Sequence, residues 1–194
     1  EVGRGALAGP VAVGAAVIDP ARSRKRVPAG LRDSKLVPEA RRPDVAARAA
    51  AFVQHSAVGW ASADEIDEIG IIRALGLAAV RAIADLRAHG VVPEEALVIL
   101  DGNHDYITPA GESGLRVKPI IKADRDCASA AAASVLAKVA RDAVMVGLHE
   151  DLPAYGWARN KGYASLDHRE AIGVHGMSVH HRRSWAIAPA PTLF

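Results

Sequence analysis

The sequence predicts an α/β fold, a mixed sheet flanked by helices and followed by a helical C-terminal tail, on three observations. Short apolar runs of strand length are bounded by Gly, Pro and Asp. Longer segments between them place apolar residues at helical spacing. The two kinds of segment alternate along the chain, the pattern of helices layered on a sheet.

Pro10-Val11-Ala12-Val13-Gly14-Ala15-Ala16-Val17-Ile18 reads as a buried strand ended by Asp19-Pro20, with a basic loop from Arg22 to Arg26 behind it. Pro38-Glu39 opens an Ala/Arg-rich helix, with Pro near its start and Glu in its first turn, which Pro43 should break or restart. Val53 to Ala61 reads as a second strand. The clearest helix follows: Ile72, Leu75, Ala79, Ile83 and Leu86 share a face, Arg73, Arg81, Asp85 and Arg87 lie mostly off it, and Gly90 suits its C-terminal cap. Two apolar runs, Ala96 to Asp101 and Pro119 to Asp124, read as strands that end in acids. An Ala-rich helix runs from about Ala128 to Leu148, apolar at Val135, Leu136, Val139, Ala140, Val144 and Leu148. The tail from about residue 155 differs in kind: Tyr155, Trp157, Tyr163 and Trp185 fall there, as do four of the five histidines from His149 onward. It reads as a functional rim more than a second core. Without repeats or a low-complexity linker, the expectation is one domain spanning residues 1–194.

At 194 residues the chain can bury a substantial core. Half of it is hydrophobic but only 4% aromatic, so that core must be built from Ala, Val, Leu and Ile. A charged fraction of 24% argues against a disordered chain. The net charge of +2 is compatible with a nucleic-acid partner without demanding one. One cysteine, Cys127, excludes an intrachain disulfide framework and a multi-Cys zinc site, and suits a reducing cytoplasm. With no paired base in view, Cys127 reads as a small buried residue. No stretch is long and apolar enough to span a bilayer, and no signal peptide is visible, so no membrane partner is expected.

The chemistry concentrates at three acids. Glu1 opens a Gly3-Arg4-Gly5 turn, while Asp101 and Asp124 each close an apolar run. Taken singly, such acids are ordinarily solvated surface groups. Carboxylates gathered at strand ends raise one another's pKa, and a hard divalent cation is the usual partner that holds them. Oxygen-only ligands suit Mg²⁺ or Mn²⁺. Hydrolysis of a phosphodiester needs an activated water, in-line geometry and charge relief on the leaving oxygen, which a pair of such ions supplies. The histidines offer no His-Glu-x-x-His pair and no accompanying thiols, so zinc is not expected.

Whole strings carry a stronger signal. Glu1 to Val11 (Glu-Val-Gly-Arg-Gly-Ala-Leu-Ala-Gly-Pro-Val), Asp33-Ser34-Lys35, Asp101-Gly102, Lys122-Ala123-Asp124, Ala132 to Asp142, Asn160-Lys161-Gly162-Tyr163 and His181-Arg182-Arg183-Ser184-Trp185 occur in one order from end to end. Together they resemble the signature of bacterial ribonuclease HII, the type 2 ribonucleases H. The resemblance implies a ribonuclease H-like sheet. It also implies an endonuclease that hydrolyses RNA in RNA–DNA hybrids and nicks 5′ of single ribonucleotides in duplex DNA, leaving a 5′-phosphomonoester. Two divalent ions, Mg²⁺ or Mn²⁺, are held in that family by four acids, three of which correspond to Glu1, Asp101 and Asp124. The fourth is an Asp immediately before the Glu, one residue ahead of this sequence. Two expectations follow: a truncated view of an active enzyme, or a hybrid-binding module impaired in catalysis.

By the same resemblance, Gly3, Arg4 and Gly5 contact the ribose and its phosphates, though a plain tight turn fits the residues equally. Tyr163 bonds the 2′-hydroxyl, the local mark of RNA, and stacks on the neighbouring sugar; a packing role is the alternative. Lys35, Lys161, Arg182 and Arg183 are candidates for phosphate contacts or ordinary solvated charges. Leu36 stands where the family commonly has a second lysine. Ser134 and Lys138, a helical turn apart, either present a hydroxyl and an ammonium to phosphate or serve packing and surface roles. Asp142 suits a pair with Arg141 or with Lys138 on the same helix, the latter at i,i+4, and Asp33 a local cap. A type 3 enzyme, with its extra N-terminal domain, is the rival within the superfamily. The expected protein is a monomeric, cytoplasmic nuclease of ribonucleotide excision repair, whose partners are RNA–DNA hybrid and ribonucleotide-containing duplex DNA.

Overall fold

Four strands and eight helices make up the computed structural model, which describes residues 1–185; residues 186–194 of the expected domain lie outside the described residues. Strands β1 (Val11–Val17) and β2 (His55–Ala61) pair antiparallel, from Val11 opposite Ala61 to Val17 opposite His55. Strands β3 (Leu97–Asp101) and β4 (Arg116–Ile120) pair in parallel, so the expected mixture of strand directions is present.

Helices α1 (Pro20–Ser23) and α2 (Arg42–Phe52) separate β1 from β2. Pro43 restarts the chain rather than breaking it, because it falls in the first turn of α2, where a missing N–H costs nothing. The next helical region is two helices, α3 (Ala63–Ile69) and α4 (Ile71–Ala88), with Gly70 between them at φ +79°. Ser62 and Glu65 form a reciprocal capping box at the start of α3, and Arg81 grips Glu65 through two bonds of 2.9 and 2.6 Å. That pairing lowers the Glu65 carboxyl to about 2.

Helices α5 (Ala123–Asp126), α6 (Ala128–Asp151), α7 (Trp157–Asn160) and α8 (Leu166–His175) complete the chain. The sheet lies between α4 and α6. Val13 pairs with Gly59 and Gly14 with Val58, so Gly14 and Gly59 face opposite sides. A Cβ on Gly14 would meet the Ala133 carbonyl of α6 at 2.3 Å, and one on Gly59 the Ala78 carbonyl of α4 at 1.9 Å. The two glycines let helix backbone lie directly on the strands, which is how a core poor in aromatics reaches close packing. Leu75, Ala78, Ile83, Ile66 and Val11 fill the α4 side. Complete burial of a side chain such as Leu75 contributes about 2 kcal/mol.

Four expectations need correction. The run ending at Asp124 is not one strand: β4 stops at Ile120, and Lys122, at φ 61°, turns the chain into α5, where Asp124 sits. Ile72 and Val144 are exposed, and α6 buries Val135 as expected but otherwise Ala131, Ala132, Ala137, Arg141 and Met145. Cys127 is only half-buried, at the N-cap of α6. The tail builds a second core: Tyr155 and Trp157 stack at 5.1 Å between their rings, packed on Ala8, Met145 and Ala171.

Strands β1 and β3 do not pair with one another. Between them lies a cavity of about 710 Å³, lined by Val13 to Ile18 on β1, Ala96 to Asp101 on β3, and residues of α4 and α6. Its mouth holds the acids.

Candidate active site

Glu1, Asp101 and Asp124 line this one cavity, together with Arg4, Ser34, Lys35 and Ser134. Val2 is fixed by two main-chain bonds to Ala12, 2.8 and 2.9 Å, which hold Glu1 beside β1. The Glu1 carboxylate meets Arg4 at 3.3 Å. Asp101 is the last residue of β3, and its Oδ1 accepts the Ala123 N–H at 2.8 Å, tying the strand end to α5. In the first turn of α5, Asp124 is buried. Burial raises its carboxyl pKa, and the charges of Asp101 and Asp33 raise it further against the opposing effect of Lys35. Asp33 caps the turn Ser34–Leu36 by accepting the Lys35 N–H at 2.9 Å, as expected of it, and also faces Asp124. Tyr106 lies buried nearby, its hydroxyl pushed up by burial and by the charges of Glu1 and Asp101.

Acid next to acid in a low-dielectric cleft is unfavourable without a cation. The donor set, all carboxylate oxygen, fits a hard divalent ion. Among the described residues, however, no group of three or more His, Cys, Asp or Glu side chains is gathered tightly enough to hold one as it stands.

The remaining candidates divide into two groups. Ser134 Oγ donates to Ser34 Oγ at 2.9 Å and thereby joins the Asp33-Ser34-Lys35 turn to α6. Lys138 pairs with Asp142 at 2.7 Å, and its Nζ lies 5.8 Å from the centre of the Tyr163 ring. Tyr163 is 36% exposed, at the edge of the tail core. Gly3 requires its missing side chain, since its φ is +86° and a Cβ would lie 2.0 Å from Arg141 Nε. Gly5 has no such requirement: a Cβ there would meet nothing within 4 Å.

Two cations depart from expectation. Arg182 is fully buried and cannot face a phosphate; its guanidinium donates to the carbonyls of Gly3 (2.7 Å), Arg4 (3.0 Å) and Gly9 (3.0 and 3.2 Å). Lys161 is buried with its ammonium committed to Glu39 at 3.0 Å and to the Ala158 carbonyl. Arg183, by contrast, is exposed.

Sequence reasoning missed the groups that hold this site from behind. Arg141 donates to the carbonyls of Pro10 (2.8 Å), Lys161 (2.9 Å) and Ala8 (3.1 Å). Its signal was a cation in register with Ala137 and Met145 on the buried stripe of α6. His168 and His181 form a buried chain. His168 Nδ1 meets the Tyr163 carbonyl at 2.8 Å, so it carries the proton. Its Nε2 then accepts from Trp157 Nε1 at 3.0 Å and from His181 Nε2 at 3.1 Å. His181 Nδ1 accepts the Ser178 N–H at 2.9 Å, so both rings are satisfied as neutral imidazoles.

The chain is similar to known proteins over most of its length. The family model for ribonuclease HII matches residues 1–188. Ribonuclease HII of Streptomyces coelicolor is 46% identical over 190 residues, covering 98% of this chain and 76% of that protein. The Cereibacter sphaeroides enzyme is 45% identical over 185 residues, with 95% and 81% coverage. Among solved structures, ribonuclease HII of Archaeoglobus fulgidus, solved as a PCNA complex, superposes with a TM-score of 0.75 at 27% identity, covering 97% of this chain and 93% of that one. Bst-RNase HIII in complex with Mn²⁺ shares the fold, with a TM-score of 0.71 at 20% identity, covering 96% and 65%. The family model over residues 1–188, with relatives 45–46% identical over nearly the whole chain, shows that this protein belongs to the ribonuclease HII family.

Proposed function

We propose that this chain is an endonuclease that hydrolyses RNA in RNA–DNA hybrids and nicks 5′ of single ribonucleotides in duplex DNA, using two divalent ions, Mg²⁺ or Mn²⁺. Membership of the ribonuclease HII family supports the ribonuclease H activity. The observation that carries the finer reading is the convergence of Glu1, Asp101 and Asp124 on one cavity that Arg4 of the Gly3-Arg4-Gly5 turn also lines.

Glu1, Asp101 and Asp124 would hold the ions, which supply a water of lowered pKa and charge relief on the leaving 3′ oxygen. The chain's own residues do the rest. Ala123 N–H donates to Asp101 Oδ1 and so orients the carboxylate. Lys35, beside Asp124, offsets part of the negative charge before substrate arrives. Gly5 leaves room for a sugar-phosphate to approach main chain. Tyr163, edge-exposed over Lys138 and Arg141, presents a ring and a hydroxyl to the ribose.

The test is a labelled duplex containing one ribonucleotide, incubated with Mg²⁺ or with chelator. Nicking on the 5′ side, dependent on metal, is expected, and Asp101→Asn should slow it by about 100-fold or more, at or beyond the top of the roughly 10- to 100-fold loss that disturbing an outer-shell metal partner causes. A second reading, hybrid binding without turnover, is favoured by the lack of any ready-made metal cage among the described residues. Binding with no nicking at any metal concentration would select it.

A further inference from the structure

Arg141 and Arg182 are both fully buried, and among the described residues neither pairs with a carboxylate. Their partners are main-chain carbonyls of residues 3, 4, 8, 9, 10 and 161. Two unneutralised cations side by side in the interior are costly, and packing alone would be served better by apolar side chains. Burial and the neighbouring Arg141 charge bring the Arg182 guanidinium down to about 10, which leaves it charged at neutral pH.

What the arrangement achieves is read from the peptide planes. Every peptide bond is trans among the described residues, so each N–H points opposite to the carbonyl of the same plane. With the Gly3 and Arg4 carbonyls turned onto Arg182, the N–H groups of Arg4 and Gly5 point away from it. Neither N–H has a hydrogen-bond partner among the described residues, whereas Ala6 N–H closes the turn on Gly3 at 3.2 Å. Successive free N–H groups in a turn with a left-handed residue form an anion-binding nest. A cation on the carbonyl side polarises those peptides and strengthens their N–H groups as donors.

We propose that Arg182 is a positioning residue that acts from behind the Gly3-Arg4-Gly5 turn, aiming and polarising the Arg4 and Gly5 amides toward a phosphate of the nucleic acid, with Arg141 locking the Lys161–Tyr163 loop to the same frame. This rests on the functional reading above and assigns a role that does not touch substrate.

The first test is independent of mutation. Amide resonances of Arg4 and Gly5 in the unaltered protein are followed while inorganic phosphate is added without metal. Saturable shifts of both are expected; unmoved amides overturn the proposal. The second uses Arg182→Met, which keeps bulk and loses charge, and Arg182→Lys, which keeps charge and loses the fork, each checked by thermal melting. In a folded Met variant, KM for the ribonucleotide duplex should rise at least about tenfold with kcat nearly unchanged, and the phosphate shifts should vanish. The Lys variant should recover part of both. Unchanged KM and shifts in a folded Met variant overturn the proposal, and if Met does not fold, the same comparison is made with Lys. Failure of the nuclease reading is distinguishable: the unaltered protein would then nick no duplex, while phosphate still moved both amides.

Discussion

Gly3 and Gly5 occupy the same short turn, yet the fold needs only one of them. At Gly3 the backbone is left-handed and Arg141 fills the space a side chain would take. Gly3→Ala should therefore cost stability of about 1–3 kcal/mol, read as a lowered denaturant midpoint. At Gly5 the missing side chain opens onto empty space. Gly5→Ala should melt within a degree or two of the parent, but bind a ribonucleotide-containing duplex about tenfold or more weakly, measured by fluorescence anisotropy without metal. A Gly5→Ala protein that binds as the parent does would show that nothing approaches the turn there. The contrast also explains what was legible in the sequence at this scale. Asp101 stood out because a charge ending an apolar run is conspicuous, and it does close β3, whereas Glu1 stood out through the Gly-Arg-Gly turn that it opens. Asp33 was readable as a cap, but not as a neighbour of Asp124, since nothing local encodes which distant carboxylate a capped turn will face.

At the scale of elements, helices declared themselves and the strand near Asp124 did not. The face shared by Leu75, Ala79, Ile83 and Leu86 gave α4, because period 3.6 is visible in any amphipathic stretch. Pro119 to Asp124 resembled one run because Ile120 at the end of β4, Ile121 after it and Ala123 at the start of α5 are apolar, and the left-handed Lys122 among them is not a glycine that would betray the turn. The tail was misread for a related reason. Histidines look like surface chemistry, yet His168 and His181 are wholly buried and join α8 to the segment behind Tyr163. Burial, the nearby imidazole charges of His168 and His180, and weaker effects lower His181 from 6.5 to about 4, and burial lowers His168 as well. An unfolded chain takes up these protons before the folded one does. The stability contributed is then complete above about pH 6.5 and declines as pH falls toward 4. Denaturant titrations at pH 7 and pH 5 should differ by about 2 kcal/mol from His181 alone, and His181→Gln should flatten that slope. A slope untouched by the substitution would place the protons elsewhere.

Across the whole molecule, the feature no local pattern announces is the open seam between β1 and β3. Apolar runs predict strands but not which strands become neighbours, and here two two-stranded ladders face one another across the 710 Å³ cavity. A strand occupies about 160 Å³ per residue, taking roughly 3.3 Å of rise, 4.8 Å of spacing and 10 Å of layer depth. The cavity therefore has the size of about four or five strand residues. Its wall is also chemically suited to one, since among the described residues β1 and β3 each have one hydrogen-bonded neighbour strand. The antiparallel bridge between Val2 and Ala12 sets a register in which Glu1 lies opposite Val13. Residues joined ahead of Glu1 in that register would run along Gly14, Ala15, Ala16 and Val17, inside the seam. An extension of four or five β-branched residues should thus pair with β1, bury apolar surface and raise the melting temperature by about 5 °C or more, a gain of roughly 2 kcal/mol. A Gly/Ser extension of equal length should leave it unchanged, because it offers little apolar surface and loses more entropy on ordering. Equal melting of the two extended proteins would mean that the seam does not accept a strand. If it does, its acceptance should also stiffen the carboxylate cluster, since Glu1 would then lie within a paired strand.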